Sequence, residues 1–237
     1  MWGMPPFIAR LLSKVAVEPI ITNPSKSSSL KQTNMLISPE KFAYLTGIVI
    51  DNFEGGYYHP NMLPSFKPSD QDKLRASGET MFGLDRKAGA QLAKYPEWKV
   101  FWDAVDKAKL ANPADWGYNE RGGKEGQKLK DLTSAIMFKW FSELAGKYLL
   151  VSSLDEIAAD DRLIIHFAYS CWNGEGWFSK FAKALNGAIA KFPGNKEAIF
   201  SEAIKARTMA TNKLGMPNKV IRQQGEHMIA LFAKLHL

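Results

Sequence analysis

Asp51-Asn52-Phe53-Glu54-Gly55-Gly56-Tyr57-Tyr58-His59-Pro60 and, further along, Ser77-Gly78-Glu79-Thr80-Met81-Phe82-Gly83-Leu84-Asp85 are the two stretches whose reading decides the fold. The first reads as the last turn of a helix that carries a carboxylate and is broken at once by two glycines, residues that cost most inside a helix and suit a sharp change of direction. The second reads as a tight, glycine-flanked turn presenting a threonine hydroxyl. Together they predict a carboxyl where apolar core meets open cleft, opposite a small hydroxyl-bearing hairpin.

Upstream, Ser38-Pro39-Glu40 is a helix start: serine caps, proline takes the first helical position, and an acid complements the dipole. Phe42, Leu45, Val49 and Phe53, with Ile48 beside them, recur at helical spacing and drive one face inward up to Glu54. Downstream, residues 57–76 are irregular and rich in aromatics and proline (Pro60, Pro64, Pro68). Helices are expected over 85–95 and over 96–111, the second carrying Trp98, Phe101, Trp102 and Val105, followed by a loop over 112–123. The longest helix is expected from Lys124 to Leu149, with Leu129, Leu132, Ile136, Trp140 and Leu144 as a continuous apolar stripe at the centre of the fold. Another covers 154–170 and ends at Ser170-Cys171-Trp172-Asn173-Gly174-Glu175-Gly176-Trp177, and two or three more reach the C-terminus. The class is mainly α, with a small β-turn or hairpin region.

Residues 1–37 read as an N-terminal arm: an amphipathic piece (Phe7, Leu11, Leu12, Val15) and then a serine-rich linker over 21–37. The amphipathic piece suits either docking on the same domain or anchoring to a partner such as a virion protein, and 38–237 forms the main domain. The first twenty residues are too short and too charged to span a bilayer and make a poor secretory signal. A chain acting outside the cytoplasm would then be delivered by a phage particle or a holin. The formal charge is +7, and residues 180–237 hold ten Lys/Arg against three Glu. Such a balance favours anionic polymers, bacterial walls among them, but the basic residues surround no element that reads bases, so no specific nucleic acid is expected. The single cysteine, Cys171, rules out an internal disulfide, and the four scattered histidines lack metal-site spacing, so neither metal nor cofactor is expected.

Cleaving a glycosidic bond needs an acid that keeps its proton near neutral pH, and a carboxyl in an apolar pocket does so because desolvation disfavours its anion. Glu54 fits, with Phe53, Tyr57 and Tyr58 available as an apolar wall. Taken alone it also fits a solvated glutamate at a helix end; the glycine pair and the Thr80 turn favour the first reading. Thr80 would position water on the far face of the sugar, although a turn threonine also suits local backbone hydrogen bonding.

Glu54-Gly55-Gly56-Tyr57, a variable loop, and then Gly78-x-Thr80-x-Phe82-Gly83-Leu84 resemble the signature of the glycoside hydrolase family 108 lysozymes, phage and bacterial N-acetylmuramidases with a lysozyme-like helical fold. The resemblance covers about 40–90 and, more loosely, 160–190, where Trp172-Asn173-Gly174 is similar to a family segment that opens a helix. It implies a peptidoglycan-degrading glycosidase with Glu54 as general acid. The family's second acid precedes the Gly-x-Thr turn, where this chain has Arg75, Ala76 and Ser77, so Asp70 and Asp72 are the nearest substitutes. Tyr57, His59, Gly83, Trp172, Asn173 and Trp177 are the candidates for glycan contact; both tryptophans also suit the core, and His59 a structural loop.

Three rivals share the same residues. Ser170-Cys171-Trp172 overlaps a papain-type cysteine signature without its other parts. A lytic transglycosylase needs only one glutamate. A catalytically weak or inactive lysozyme-like virion protein would use the arm and basic end for assembly.

Overall fold

Ser38 caps the first helix as its position dictates, its hydroxyl accepting from the Lys41 N–H at 3.1 Å. The helix runs Pro39–Phe53 (α1) and buries Phe42, Leu45, Val49, Ile50 and Phe53, with Glu54 as the residue that ends it. The computed structural model describes residues 36–65, 78–87 and 89–237. The arm over 1–35 and the candidate acids Asp70 and Asp72 lie outside the described residues, whereas Ile37, assigned to the arm, is fully buried in the core.

Among the described residues the protein is mainly α, with eight α-helices and one two-stranded hairpin. After α1 come the hairpin strands β1 (Thr80–Met81) and β2 (Leu84–Asp85), and then α2 (Pro96–Ala111). Next are α3 (Gly126–Tyr148), α4 (Val151–Ala159) and α5 (Asp161–Asn173). The last three are α6 (Glu175–Lys191), α7 (Lys196–Thr208) and α8 (Lys219–Leu235). The long α3 is central, packing on α1, α2, α5 and α6. Leu129, Ile136, Trp140 and Leu144 of its expected stripe are buried, and Leu132 packs half-buried beside them. Phe42 of α1 meets Phe138 and Phe141 of α3 at ring-centroid distances of 5.0 and 5.3 Å.

Two expectations are corrected. Among the described residues of 85–95 there is no α-helix: Asp85 belongs to β2, and a single 3-10 turn covers Ala90–Leu92. The hairpin claims the first of these residues, Asp85 pairing with Thr80 and accepting its hydroxyl at 2.6 Å, and Gly89 packs so closely that a Cβ would lie 2.6 Å from both the Asp85 carbonyl oxygen and the Trp98 ring. The expected 154–170 helix is two, broken at Asp160. That side chain accepts from the Arg162 N–H at 2.9 Å and pairs with its guanidinium, so it caps α5 rather than continuing α4.

The C-terminal helices meet at a buried cation. Arg207 on α7 is fully buried, and each of its five N–H groups finds an acceptor. Nε donates to His166 Nδ1 (3.3 Å), Nη1 to Asn173 Oδ1 (2.6 Å) and Gln224 Oε1 (3.2 Å), and Nη2 to Ser170 Oγ (2.7 Å) and the His166 carbonyl (3.3 Å). The Tyr169 and Phe181 rings lie 5.2 and 4.5 Å from its guanidinium carbon. One side chain thereby ties α5 and α8 to α7. Burial draws its pKa down to about 10, so it stays charged at neutral pH.

That arrangement fixes the histidine. Because His166 Nδ1 accepts from Arg207, the ring is neutral with its proton on Nε2. Burial and then the neighbouring guanidinium hold its pKa well below the ordinary 6.5. The unfolded chain therefore binds a proton below pH 6.5 that the folded chain refuses, so stability falls on acidification and levels off above that pH. Between pH 7.5 and 5.5 this group alone should remove about 1.4 kcal/mol. Urea unfolding at the two pH values should show that loss in the wild type and not in His166→Gln, whose amide oxygen still accepts from Arg207. An equal loss in both proteins would contradict the assignment.

Candidate functional site

The site grows from the sharp end of α1. Arg121 closes that end: Nη1 donates to the Glu54 carbonyl at 3.3 Å, and Nη2 to the Ile50 carbonyl at 3.2 Å and Asp51 Oδ1 at 3.1 Å. A cation there satisfies orphan carbonyls and complements the negative end of the helix dipole. The glycine pair answers a second demand. The loop over 117–121 runs against residues 55–57, with Gly56 N donating to Asn119 Oδ1 (2.8 Å), Tyr57 N to the Glu120 carbonyl (2.6 Å) and Asn119 N to the Tyr57 carbonyl (2.8 Å). A Cβ on Gly56 would stand 2.3 Å from Glu120 O and 2.4 Å from Asn119 O, so no other residue fits without moving backbone.

On its other side the chain meets the hairpin. Tyr58 bridges Thr80, Tyr58 N donating at 2.8 Å and Thr80 N returning at 2.9 Å, which adds a third extended segment beside β1 and β2. The hairpin turns through Phe82 (φ 48°) and Gly83 (φ 68°), the double left-handed geometry that matches the twist of paired strands. For phenylalanine that conformation is costly, of order 1–2 kcal/mol. Its surroundings impose it: the Trp172 indole N–H donates to the Phe82 carbonyl at 3.0 Å, and the Arg121 guanidinium lies 4.9 Å from the Phe82 ring.

Glu54 and the hairpin tip meet directly. A Cβ on Gly83 would lie 1.9 Å from Glu54 Oε2 and 2.7 Å from Trp172 Cδ1. The half-buried Glu54 carboxyl thus sits against bare backbone, walled by an indole, with Phe53 beneath it packed on Tyr169 at 4.6 Å and on the exposed His227 at 4.7 Å. Three far-separated parts of the chain converge here: the end of α1, the hairpin tip and the end of α5.

The remaining candidates take other places. Thr80 is fully buried and its hydroxyl donates to Asp85 Oδ1 at 2.6 Å, so it pins the two strands together instead of facing a cleft. Tyr57 is buried and donates to Glu79 Oε1 at 2.7 Å, and burial, reinforced by that carboxylate, pushes its phenol well above the ordinary range. Glu79 is held further by Arg86 at 2.6 Å and by Lys109. His59 accepts from the Asn61 N–H at 3.1 Å and serves its own turn. Trp172 is a buried brace for the hairpin, not an exposed sugar platform, and Asn173 is buried on Arg207. Trp177 is half-buried, stacked on Phe181 at 5.8 Å with Lys180 Nζ 4.3 Å from its ring centroid. Among the described residues no group of His, Cys, Asp or Glu is arranged to hold a metal. Cys171 is buried, its thiol pushed far up by desolvation, which removes the cysteine-nucleophile rival.

Arg121, Asn119 and Glu79 are the positions the sequence reading did not identify. Arg121 lies 67 residues from Glu54 and nothing local marks it as a helix cap. Glu79 sits beside Thr80 in the turn, where no local signal distinguishes it from a solvated glutamate.

Gly83→Ala should force the Glu54 carboxyl and the Trp172 ring away from the hairpin tip and strain a left-handed backbone. A loss of about 2–4 kcal/mol in urea unfolding is expected, more than for an ordinary exposed Gly→Ala change; a loss under about 0.5 kcal/mol would mean that this packing is not tight. Comparison of the chain with protein-family models, with curated proteins and with solved structures gives no match, so the site is read from its own geometry.

Proposed function

We infer that the protein is a peptidoglycan-degrading glycoside hydrolase, a lysozyme-like muramidase that cleaves glycan strands at N-acetylmuramic acid, with Glu54 as general acid. The observation that carries this reading is the half-buried Glu54 carboxyl lodged against the Gly83 backbone and the Trp172 edge. A carboxyl so placed stands at the edge of the core beside an indole, in a residue that is only half-buried, where a general acid can reach a leaving oxygen. Arg121, aimed at the Glu54 carbonyl, holds the residue's backbone still while its side chain works.

In the hydrolytic cycle Glu54 gives its proton to the glycosidic oxygen, the carbon–oxygen bond breaks through an oxocarbenium-like state, and water attacks the opposite face. Asp72, or Asp70, would activate that water; both lie outside the described residues. Thr80 enters only as the brace of the hairpin, because its hydroxyl proton belongs to Asp85. The same fact favours a second reading, a lytic transglycosylase, in which the sugar's own hydroxyl replaces water and a single glutamate suffices. For either reading the substrate lies in the bacterial wall, and the chain would reach it from a virion or through a membrane pore.

Glu54→Gln should retain the fold and lower wall lysis by at least ~10²-fold, since an amide cannot supply the proton. Mass spectrometry of digested peptidoglycan separates the products: a reducing end from hydrolysis, a 1,6-anhydro end from transglycosylation. Full lysis by the variant, or peptide-bond cleavage in the products, would remove the proposal.

A further inference from the structure

The excess charge of this chain falls in its last quarter of sequence, on exposed lysines apart from the buried Arg207 and half-buried Arg222. Residues 180–237 hold ten of its 31 Lys/Arg and three of its 24 Asp/Glu, a difference equal to the entire formal charge of +7. Within that end, the loop joining α7 to α8 carries three large apolar side chains turned to solvent: Met209 (58% exposed), Leu214 (79%) and Met216 (53%). Scattered exposed apolar residues are ordinary on any surface; three within eight residues of one loop are not.

The loop is built to hold them there. Asn212 Oδ1 accepts from the N–H groups of Leu214 (2.9 Å) and Met216 (3.0 Å), Asn212 N donates to the Met216 carbonyl (2.8 Å), and Thr211 bridges Pro217. Asn218 N donates to the Ala210 carbonyl at 2.8 Å, and the Arg222 guanidinium clamps the Ala210 and Met209 carbonyls at 2.9 and 3.3 Å. Gly215 (φ 77°) makes the turn, with open space around it. Met209 also forms one wall of a shallow groove between α6 and α7 whose rim includes Lys191 and Lys205. Lys205, Lys213 and Lys219 are exposed on the loop's flanks, Lys205 pairing with Glu202 at 3.4 Å.

An apolar knob on a pinned loop, with exposed lysines on its flanks, has a definite complement. The lysines favour an anionic surface, and Leu214 and Met216 gain only if that surface has a hydrocarbon layer beneath its charges; a soluble acidic polymer satisfies the first demand and not the second. No described helix is long and apolar enough to cross a bilayer, so the contact is with a surface. We propose that the α6–α8 end is a peripheral docking face for anionic lipid bilayers, with Leu214 and Met216 entering the headgroup–acyl boundary. This stands whether or not Glu54 cleaves glycan.

The test is sedimentation of the full chain with phosphatidylcholine vesicles, with and without phosphatidylglycerol. Binding should require the anionic lipid, weaken with salt, and fall about tenfold or more in Leu214→Ser/Met216→Ser. Both positions are solvent-exposed, so thermal unfolding of that variant should be unchanged. A second readout avoids reliance on it: an environment-sensitive fluorophore on Leu214→Cys, with the native Cys171 buried, should shift to the blue on anionic vesicles. Absence of binding to anionic vesicles, binding undiminished in the double variant, or a fluorophore that stays in water would each overturn the proposal.

Discussion

Two backbone approaches closer than any side chain allows set the geometry around Glu54. Gly56 passes the 119–120 backbone with no space for a Cβ, and Gly83 meets the Glu54 carboxyl in the same way. Protein interiors are dense and yield little, so crowding of this kind fixes position more firmly than a hydrogen bond does. The hairpin tip and the Trp172 edge bound the carboxyl, the Gly56 contact fixes the turn that follows it, and Arg121 secures the helix end from which it projects.

The C-terminal helices contribute through α5. Trp172 braces Phe82 from the last turn of that helix, and its neighbour Asn173 is held by Arg207. Arg207 in turn spends all five donors on neutral acceptors, an arrangement costly to bury and costlier to break, since removing the guanidinium would orphan several polar groups at once. The hairpin tip, and with it the setting of Glu54, is thus supported by a polar knot formed from α5, α7 and α8. A chemically quiet half of the molecule underwrites the half that carries the candidate chemistry, while its outer loop turns an apolar edge to the surroundings.

Much of this was legible in the residues. Ser38-Pro39 and the Phe42–Phe53 period located α1 and its end at Glu54 because capping and periodicity are local signals. The stripe from Leu129 to Leu144 located the central helix for the same reason. What escaped were relations across distance. Asp160 looked like one more polar residue on a helix, and only its pairing with Arg162 shows it starting a new one. Residue type alone leaves Thr80 and Trp172 open to either a cleft or the core, whereas the fold gives the hydroxyl a buried carboxylate and the indole a hairpin carbonyl as internal acceptors. Arg121 carried no sequence mark at all. Positive charge at the C-terminal end was plain in the composition; the pinned loop that displays Leu214 and Met216 was not.

The central claim is that a glycosidic oxygen comes to rest beside Glu54 at the hairpin tip. The most direct measurement is a crystal structure of the Glu54→Gln variant soaked with a muramic-acid-containing glycan oligomer. The account predicts a glycosidic oxygen within hydrogen-bond reach of the residue-54 amide, about 2.6–3.2 Å. A glycan bound elsewhere on the protein, with the residue-54 amide contacting only ordered solvent, would contradict it.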